Sequence, residues 1–198
     1  EKGKKIVIEA LKRGIAKKEK DGAVYIDLDK QKKYILRSNE TASYITYDLG
    51  AAVERYQKHH FYKMIYVTDF RQKDHFESLF KILKILGYEF ADKLVHLPFG
   101  TINFGKEIMA TRKGKIILLE EVLKKTIKKA EQNIKKRKTK GDPKKVGISA
   151  AKYSILKNEP IKDVQFSWEK SLVFEGNTGP YHQYSYARAT SIINLSLI

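Results

Sequence analysis

Residues 110 to 114, with the sequence ATRKG, combine side chains that could bind phosphate. Thr111, Arg112 and Lys113 offer a hydroxyl and two cations, and Gly114 keeps the backbone beside them flexible. Transfer of an adenylyl group requires cations against the charge that develops on the leaving pyrophosphate, more than it requires a protein nucleophile. The alternative is that these five residues form a solvated basic turn.

Lysine also dominates one face of a helix expected in the second half of the chain, at residues 124 to 140. These lysines could contact RNA phosphates, which bind cations and release counterions, or they could form a solvated helix face. The whole chain has 40 Lys and Arg against 23 Asp and Glu, a formal net charge of +17. Such a field favours a polyanionic partner, above all nucleic acid or nucleotide phosphate.

Two helix-then-strand units precede this basic region. The first has apolar residues at helical spacing from Tyr44 to His60, followed by the apolar run MIYVT at 64 to 68, which we expect to be a buried strand. The second has helical spacing from Phe76 to Leu86, a closing Gly87 and the run LVHLPFG at 94 to 100. Successive units of this kind predict a parallel sheet.

An opening helix and a hairpin come before these units. Ile8, Leu11 and Ile15 are three and four residues apart, which predicts that they face a core. Residues 23 to 38, AVYIDLDKQKKYILRS, read as two short strands around a polar turn. This hairpin is expected to be an appendage on the main fold.

Helices are predicted for the second half of the chain. The long basic helix has an apolar side formed by Leu119, Val122, Leu123, Ile127, Ala130 and Ile134. The hydrophilic segment KKRKTKGDPKK contains a helix-breaking Gly and Pro, which predicts a subdomain boundary between about residues 136 and 145. Two further segments with helical spacing follow it, VGISAAKYSIL and YHQYSYARATSIINL.

Composition excludes several classes of function. The chain has no Cys, so neither a disulfide framework nor a thiolate site can be expected, and a cytosolic location is favoured. It has no run of about 18 apolar residues that would predict a membrane span. The charged start, EKGKKIVIEALKRG, does not have the apolar run of a signal peptide.

Four segments resemble the arginyl-tRNA synthetase family of class I enzymes, and they occur in the family's order. They are SYITYDLGAAVERY at 43 to 56, MIYVTDFRQKDHF at 64 to 76, MATRKG at 109 to 114 and GNTGPYHQYSYAR at 176 to 188. The first is similar to the signature after the hairpin, and the second to the next strand and loop. The third resembles the family's form of the KMSKS loop, and the fourth the segment that leads toward the anticodon-binding domain.

The resemblance implies that Tyr44 and Asp48 line the arginine pocket. Their i, i+4 spacing places both side chains on one helix face. A carboxylate can accept the parallel N–H donors of a guanidinium as a bidentate pair. Without the resemblance, we would interpret Asp48 as an exposed helix residue and Tyr44 as part of the core.

The resemblance implies two further substrate contacts just after the predicted strand at 64 to 68. Gln72 follows that strand at its carboxyl end, where ligands of open α/β sheets bind, and would make a polar contact to the amino acid. The alternative for Gln72 is a surface amide. His75 either helps to hold ATP or makes a local hydrogen bond at the start of its helix.

The resemblance implies that the loop at 109 to 114 binds ATP and that Arg112 and Lys113 are its catalytic residues. The ATP-binding residues that it implies are His75, Met109, Thr111, Arg112 and Lys113. The family's lysine before Met109 is absent, since Ile108 stands there, and the second KMSKS lysine is replaced by Thr111. The charge must then come from Arg112 or Lys113, and the sequence leaves both possible.

Other departures from the family pattern concern its turns and its histidines. Asn39 and Glu40 stand where the family commonly has an acidic residue and a glycine. No His-x-Gly-His motif occurs anywhere, and the adjacent His59 and His60 are expected to form a solvated helix end.

The resemblance implies an α/β fold: the second half of a class I Rossmann-type parallel sheet, followed by a small helical stem-contact region. Residues 1–140 are assigned to that half domain, with the hairpin insertion at about 21–38. Residues 141–198 are assigned to the stem-contact region, which leads to an anticodon-binding domain missing from this sequence.

The implied function is activation of arginine with ATP, accompanied by Mg2+, and transfer to tRNA(Arg) in the cytoplasm. The chain alone is expected to be inactive and to self-associate through an exposed sheet edge. The alternative is a non-catalytic RNA-binding module, which explains the lysines but not the pattern of Tyr44, Asp48 and Gln72. A class I synthetase for another amino acid would share the fold but would not need a carboxylate at position 48.

Overall fold

The computed structural model describes residues 2–29, 31–104 and 118–196. The predicted phosphate-binding loop at 109 to 114 lies outside these residues. Packing divides the chain into two compact units, Glu1–Pro98 and Phe99–Ile198. This division reflects contacts alone, and the domain boundary near residue 140, which rests on family resemblance, stays a prediction.

The first unit contains three helices and five strands within its described residues. In chain order they are α1 (Lys2–Lys12), β1 (Lys17–Lys18), β2 (Val24–Leu28), β3 (Gln31–Leu36), α2 (Tyr44–His59), β4 (Met64–Asp69), α3 (Lys73–Ile85) and β5 (Leu94–Phe99). Short 3-10 turns, Phe70–Gln72 and Glu89–Lys93, precede α3 and β5. Strands β1, β2 and β3 form an antiparallel sheet, so the predicted hairpin is confirmed. Strands β4 and β5 pair in a second sheet.

One hydrophobic core joins the helices of this unit to the hairpin. Its fully buried members come from α1, β2, β3, α2 and α3, and the largest are Val7, Ile26, Ile35, Leu49, Leu79, Ile82 and Leu83. The predicted apolar pattern from Phe76 to Leu86 is therefore confirmed as a core face, and Gly87 ends the helix with a positive φ of 85°.

The prediction for α1 was partly wrong. Leu11 and Ile15 pack against the core, but Ile8 is 51% exposed. The core face of α1 instead carries Ile6, Val7 and Ala10, because the helix is oriented by a close crossing with α2 that begins at its first turn.

Strands β4 and β5 are partly buried on one face and exposed on the other. Alternate residues of β4, Ile65 and Val67, are 54% and 59% exposed, and Val95 and Leu97 of β5 are exposed as well. The expectation that MIYVT is fully buried was therefore wrong for this face among the described residues. The pattern has the period of two that a strand imposes on its side chains.

The second unit contains two short strands and four helices within its described residues. They are β6 (Ile102–Phe104), α4 (Leu119–Lys136), α5 (Pro143–Leu156), β7 (Val164–Phe166), α6 (Trp168–Ser171) and α7 (Gly179–Ser196). Strands β6 and β7 pair in parallel, a pairing that the sequence did not suggest. Helices α4 and α5 pack closely, with Gly147 against the backbone of Ile127.

The predicted helix break between α4 and α5 is confirmed. Asp142 caps α5 by accepting hydrogen bonds from the backbone N–H groups of Lys144 and Lys145, and Pro143 occupies the first helical turn. On α4, Val122 and Ala130 are buried as predicted, whereas Leu119 is 69% exposed. Leu119 is the first residue of the helix, two turns before Thr126 and Ile127, whose backbone meets Gly147 of α5. No helix in the described part of the chain is long and apolar enough to cross a membrane.

Replacement of Gly50 by Ala should destabilise the protein by about 1–3 kcal/mol, the usual cost of overpacking. A Cβ atom at Gly50 would lie 2.7 Å from the backbone nitrogen of Gly3 in α1, which cannot move without shifting the helix. Chemical denaturation measures the change. Gly141→Ala is the control, since its Cβ would meet only the end of the Ile134 side chain at 3.5 Å. If the two variants were equally stable, the close approach of α1 and α2 at Gly3 and Gly50 would not constrain their packing.

Candidate arginine and nucleotide site

Asp48 and His75 meet between α2 and α3. Asp48 Oδ2 lies 2.7 Å from His75 Nε2, and their side chains are only 28% and 18% exposed. The two residues are 27 positions apart in the chain. The hydrogen bond therefore joins two helices, and the alternative that His75 makes only a local hydrogen bond was wrong.

Tyr44, in the first turn of α2, packs against His75. Its ring centroid is 5.1 Å from that of His75, and 68% of the residue is exposed. Tyr44 is thus not a core residue, and Asp48 is not a freely solvated one. Without the family resemblance, Asp48 was expected to be an exposed helix residue and Tyr44 a core residue, and both expectations were wrong. The structure brings Tyr44, Asp48 and His75 together.

The hairpin fixes the start of α2 and hence the position of Tyr44. Ser43 donates a hydrogen bond from Oγ to the carbonyl oxygen of Ile35 in β3, at 2.9 Å. Thr46 is fully buried and donates its hydroxyl to the same carbonyl. One strand end therefore anchors two residues of the helix that carries Tyr44 and Asp48.

Gln72 lies at the junction between β4 and α3. It ends the 3-10 turn and precedes the first residue of α3, and it is exposed, with no side-chain hydrogen bond to a described residue. The turn itself is fixed by Asp69, which accepts a hydrogen bond from the backbone N–H of Arg71. The structure thus places the Gln72 amide at the carboxyl end of β4, and its predicted contact to an amino acid stays a prediction.

Arg71 and Asp69 form a bidentate pair within this turn. Arg71 Nε and Nη2 lie 2.8 Å from the two carboxylate oxygens of Asp69. The side-chain hydrogen bond from Arg71, joined by its backbone N–H, lowers the pKa of Asp69 from 3.8 to about 2. Asp69 is therefore a carboxylate throughout the physiological range.

Aromatic and polar side chains of α3, β4 and β5 form a layer that supports His75. Phe76 contacts the edge of His75 at 5.3 Å and stacks on His96 at 4.6 Å. His96 Nε2 lies 2.9 Å from Thr68 Oγ1, and burial lowers the pKa of His96. His96 is thus neutral at neutral pH and contributes packing rather than charge.

Sequence reasoning missed Tyr66, Thr68 and His96, although a signal was present. Tyr66 and Thr68 alternate in β4, so the strand period places them on one face, beneath α2 and α3. Tyr66 and Thr68 are polar residues at alternate positions of an otherwise apolar strand, and this pattern could have indicated a polar face. His59 and His60 lie exposed at the end of α2, as predicted, and Met109, Thr111, Arg112 and Lys113 lie outside the described residues.

Comparison with known proteins identifies the family. The family model for tRNA synthetases class I (R), catalytic domain, matches residues 1–168. The chain belongs to the class I arginyl-tRNA synthetase family. It is 39% identical over 198 residues to the arginine–tRNA ligase of Halothermothrix orenii, and 40% identical over 199 residues to that of Clostridium kluyveri. Each alignment covers 96% of this chain and 35% of the relative, so the chain spans about a third of the length of these relatives.

Solved structures show the same relationship. The arginyl-tRNA synthetase of Plasmodium falciparum matches 98% of this chain and 34% of its own with a TM-score of 0.80 and 27% identity. The arginyl-tRNA synthetase of Thermus thermophilus matches 98% of this chain and 41% of its own, with a TM-score of 0.80 and 22% identity. This second match shows that the two proteins share a fold. The predicted α/β class I fold and the predicted family resemblance are therefore confirmed.

Replacement of Arg71 by Gln should raise the pKa of Asp69 from about 2 toward its ordinary value of 3.8. The largest cause of the depression is lost, while the backbone hydrogen bond keeps part of it. Because the pKa is depressed in the folded protein, the carboxylate stabilises this turn above its unfolded pKa, and that stabilisation is lost as the pH falls through about 2. In the variant the folded pKa lies closer to the unfolded pKa, so this stabilisation should be smaller and its loss should be complete at a higher pH.

Carbon-detected NMR titration of the Asp69 carboxyl measures this change. Lys73→Gln is the control, since Lys73 faces Glu77 and does not contact Asp69. An unchanged Asp69 titration in the Arg71 variant would show that the ion pair is not the cause.

Proposed function

We propose that the protein that contains this chain activates arginine with ATP, forming arginyl-adenylate and pyrophosphate, and transfers arginine to the terminal ribose of tRNA(Arg). The observation that carries the proposal is the Asp48 carboxylate, held through one oxygen by His75, whose ring packs against that of Tyr44. A half-buried carboxylate with a second oxygen that bonds to no described residue suits a guanidinium, which presents parallel N–H donors in one plane.

Arginine binding is assigned to Tyr44, Asp48 and Gln72. Asp48 would pair with the guanidinium, and Tyr44 would pack against its plane from the exposed side of the site. Gln72, whose side chain bonds to no described residue, would contact the polar end of the amino acid. These roles place recognition of the substrate's two ends on α2 and on the turn after β4.

ATP binding is assigned to His75 and to the loop at 109 to 114. Arg112 and Lys113 would stabilise the charge on the departing pyrophosphate, and Met109 and Thr111 would contact the nucleotide beside them. ATP would arrive with Mg2+ as a substrate complex. Because His75 contacts Asp48 at 2.7 Å, the arginine and ATP sites would share this side chain.

The basic face of α4 is assigned to tRNA phosphates. Lys128 and Lys136 make no salt bridge to a described residue, while Lys124, Lys129 and Lys135 each pair with a glutamate. The unpaired lysines are free to meet phosphate oxygens. A non-catalytic RNA-binding module would also explain this face, but it does not explain the partly buried carboxylate at Asp48.

The exposed apolar face of β4 and β5 supports the assignment of this chain to part of a larger catalytic domain. Ile65, Val67, Val95 and Leu97 line this face. We propose that the remaining part of the Rossmann-type domain covers this face in the intact enzyme, and that the isolated chain self-associates through an exposed edge of the sheet. A monomer at all concentrations in sedimentation would contradict self-association.

Replacement of Asp48 by Asn in the intact enzyme should raise the KM for arginine far more than the KM for ATP. Loss of one partner of a desolvated, charge-assisted pair costs about 2–5 kcal/mol, because the other charge is left unpaired. Asparagine keeps the shape of the side chain, so the fold should be retained. Asp74→Asn is the matched control, since Asp74 is an exposed first-turn carboxylate of α3. Equal increases in the two KM values would make Asp48 a structural residue.

The 198-residue chain by itself should catalyse no arginine-dependent exchange of pyrophosphate into ATP. Class I activation uses two nucleotide-binding loops, and the His-x-Gly-His sequence of the first is absent here. Mixing with a separately produced N-terminal half of the catalytic domain should restore exchange. Robust exchange by the chain alone would contradict the proposal that it is half of the site, and salt-sensitive RNA binding without exchange in the mixture would favour the RNA-binding module.

A further inference from the structure

Trp168 contacts the described elements on both sides of residues 105 to 117. The ring of Phe104, the last residue of β6, stacks on Trp168 with a centroid distance of 5.7 Å and an interplanar angle of 29°. From α4, Lys125 places its ammonium over the Trp168 ring, 4.3 Å from the centroid. Since β6 precedes those residues in the chain and α4 follows them, one side chain joins the two elements that flank the predicted nucleotide loop at 109 to 114.

The position of Trp168 is itself fixed by β7 and the short helix α6. Trp168 is the first residue of α6, and the preceding strand β7 pairs in parallel with β6, so that Phe166 lies opposite Phe104. The Phe166 ring meets that of Trp168 at 5.0 Å and an angle of 80°, an edge-to-face contact. Ser167 caps α6 by accepting a hydrogen bond from the backbone N–H of Lys170. The indole is therefore held by a strand pair and a helix cap.

Two further contacts hold α4 against the segment that follows Trp168. Lys129 forms a salt bridge of 2.6 Å with Glu169. At the end of α4, Arg137 places its guanidinium carbon 4.7 Å from the ring centroid of Phe174. These contacts extend to the C-terminal end of the helix, whereas the contact with Trp168 lies closer to its start.

The spacing between β6 and α4 matters because a charged side chain stabilises a departing pyrophosphate only from a defined position. Under the proposed function, Arg112 and Lys113 supply that charge. A misplacement of about 1 Å can lower a rate by about 10²-fold, and fixed charges act without reorganisation during the reaction. The ends of a chain segment limit where its side chains can lie, so the elements that flank residues 105 to 117 affect the position of both cations.

We propose that Trp168 is a positioning residue for arginine activation: it holds β6 and α4 at the spacing that places Arg112 and Lys113 against the departing pyrophosphate. This inference rests on the proposed function and adds to it a residue outside the arginine site. Trp168 acts through the two flanking elements and contacts neither arginine nor ATP. Its effect is expected on the chemical step rather than on arginine binding, whose assigned residues all lie in the first unit.

The test is Trp168→Leu in the intact enzyme, measured by arginine-dependent exchange of pyrophosphate into ATP in the presence of tRNA(Arg). The kcat should fall about 10- to 100-fold, because both cations lose their defined position. The KM for arginine should stay within about twofold. Trp168→Phe keeps an aromatic ring for Phe104 and Lys125, so it should recover the kcat to within about threefold of the wild type.

Phe174→Leu is the matched control. It makes the same change, from an aromatic residue to leucine, at another half-buried position, which contacts the other end of α4. The Tm should fall in both variants, since each loses the packing of a ring, whereas the kcat should fall only in Trp168→Leu. Equal losses of kcat in the two variants would show that Trp168 acts only through the general packing of α4 and would overturn the inference.

Lys125→Met tests the contact with α4 without a change in the core, because Lys125 is exposed. Removal of the cation from the ring should lower the kcat about 2- to 5-fold, the usual strength of an exposed cation–π contact. The same change should have no further effect in Trp168→Leu, where the ring is already absent. A further loss of equal size there would show that Lys125 acts elsewhere and would overturn the link between Trp168 and α4.

The outcomes distinguish this inference from the function on which it rests. Absence of arginine-dependent exchange in the wild-type enzyme would overturn the proposed function. Wild-type exchange with an unchanged kcat in Trp168→Leu would overturn this inference alone. If the KM for arginine rose by the same factor by which the kcat fell, Trp168 would support the whole fold rather than the flanks of the loop, and the inference would be overturned as well.

Discussion

The hydrogen bond between Asp48 and His75 depends on how three neighbouring elements hold α2 and α3. The carbonyl of Ile35 fixes the first turn of α2, and the glycine crossing with α1 contacts its first two turns at Thr46 and Gly50. The Asp69 turn determines where α3 begins, and thus where His75 points. A shift of about an ångström in either helix would separate the two side chains, so the site requires the packing around it to be rigid.

Under the proposed function, the hydrogen bond between Asp48 and His75 also affects the energetics of arginine binding. A carboxylate that is partly removed from water needs partners, and His75 supplies one in the ligand-free protein. Under the proposed function, a guanidinium would either replace this partner or share the carboxylate with it. Sharing would retain the hydrogen bond to His75 and leave the second carboxylate oxygen for the ligand. The carboxylate would then be held in place before arginine binds, which lowers the ordering cost of binding.

Local sequence patterns predicted the helices and strands of this fold. Contacts between residues far apart in the chain determine the partners of side chains and the buried face of a helix, which local patterns do not show. The i, i+4 spacing sufficed to place Tyr44 and Asp48 on one face of α2. The partner of Asp48 could not be predicted, since His75 reaches it only because α3 returns beside α2 after β4. Ile8 was assigned to the core because residues 6 to 11 offer two overlapping helical faces, and the crossing at Gly3 and Gly50 selects the other one.

The exposure of β4 and β5 has a different cause. A continuous apolar run such as MIYVT is typical of a strand that is buried on both faces, yet Ile65 and Val67 are exposed. Four large apolar side chains on one sheet face form a patch that a stable soluble domain seldom leaves uncovered. The chain spans about a third of the length of its relatives. Under the proposed function, MIYVT is a strand of a longer catalytic domain, and its apolar pattern matches burial in that domain. Ile65 and Val67 would then lie on the face that the remaining part of the domain covers.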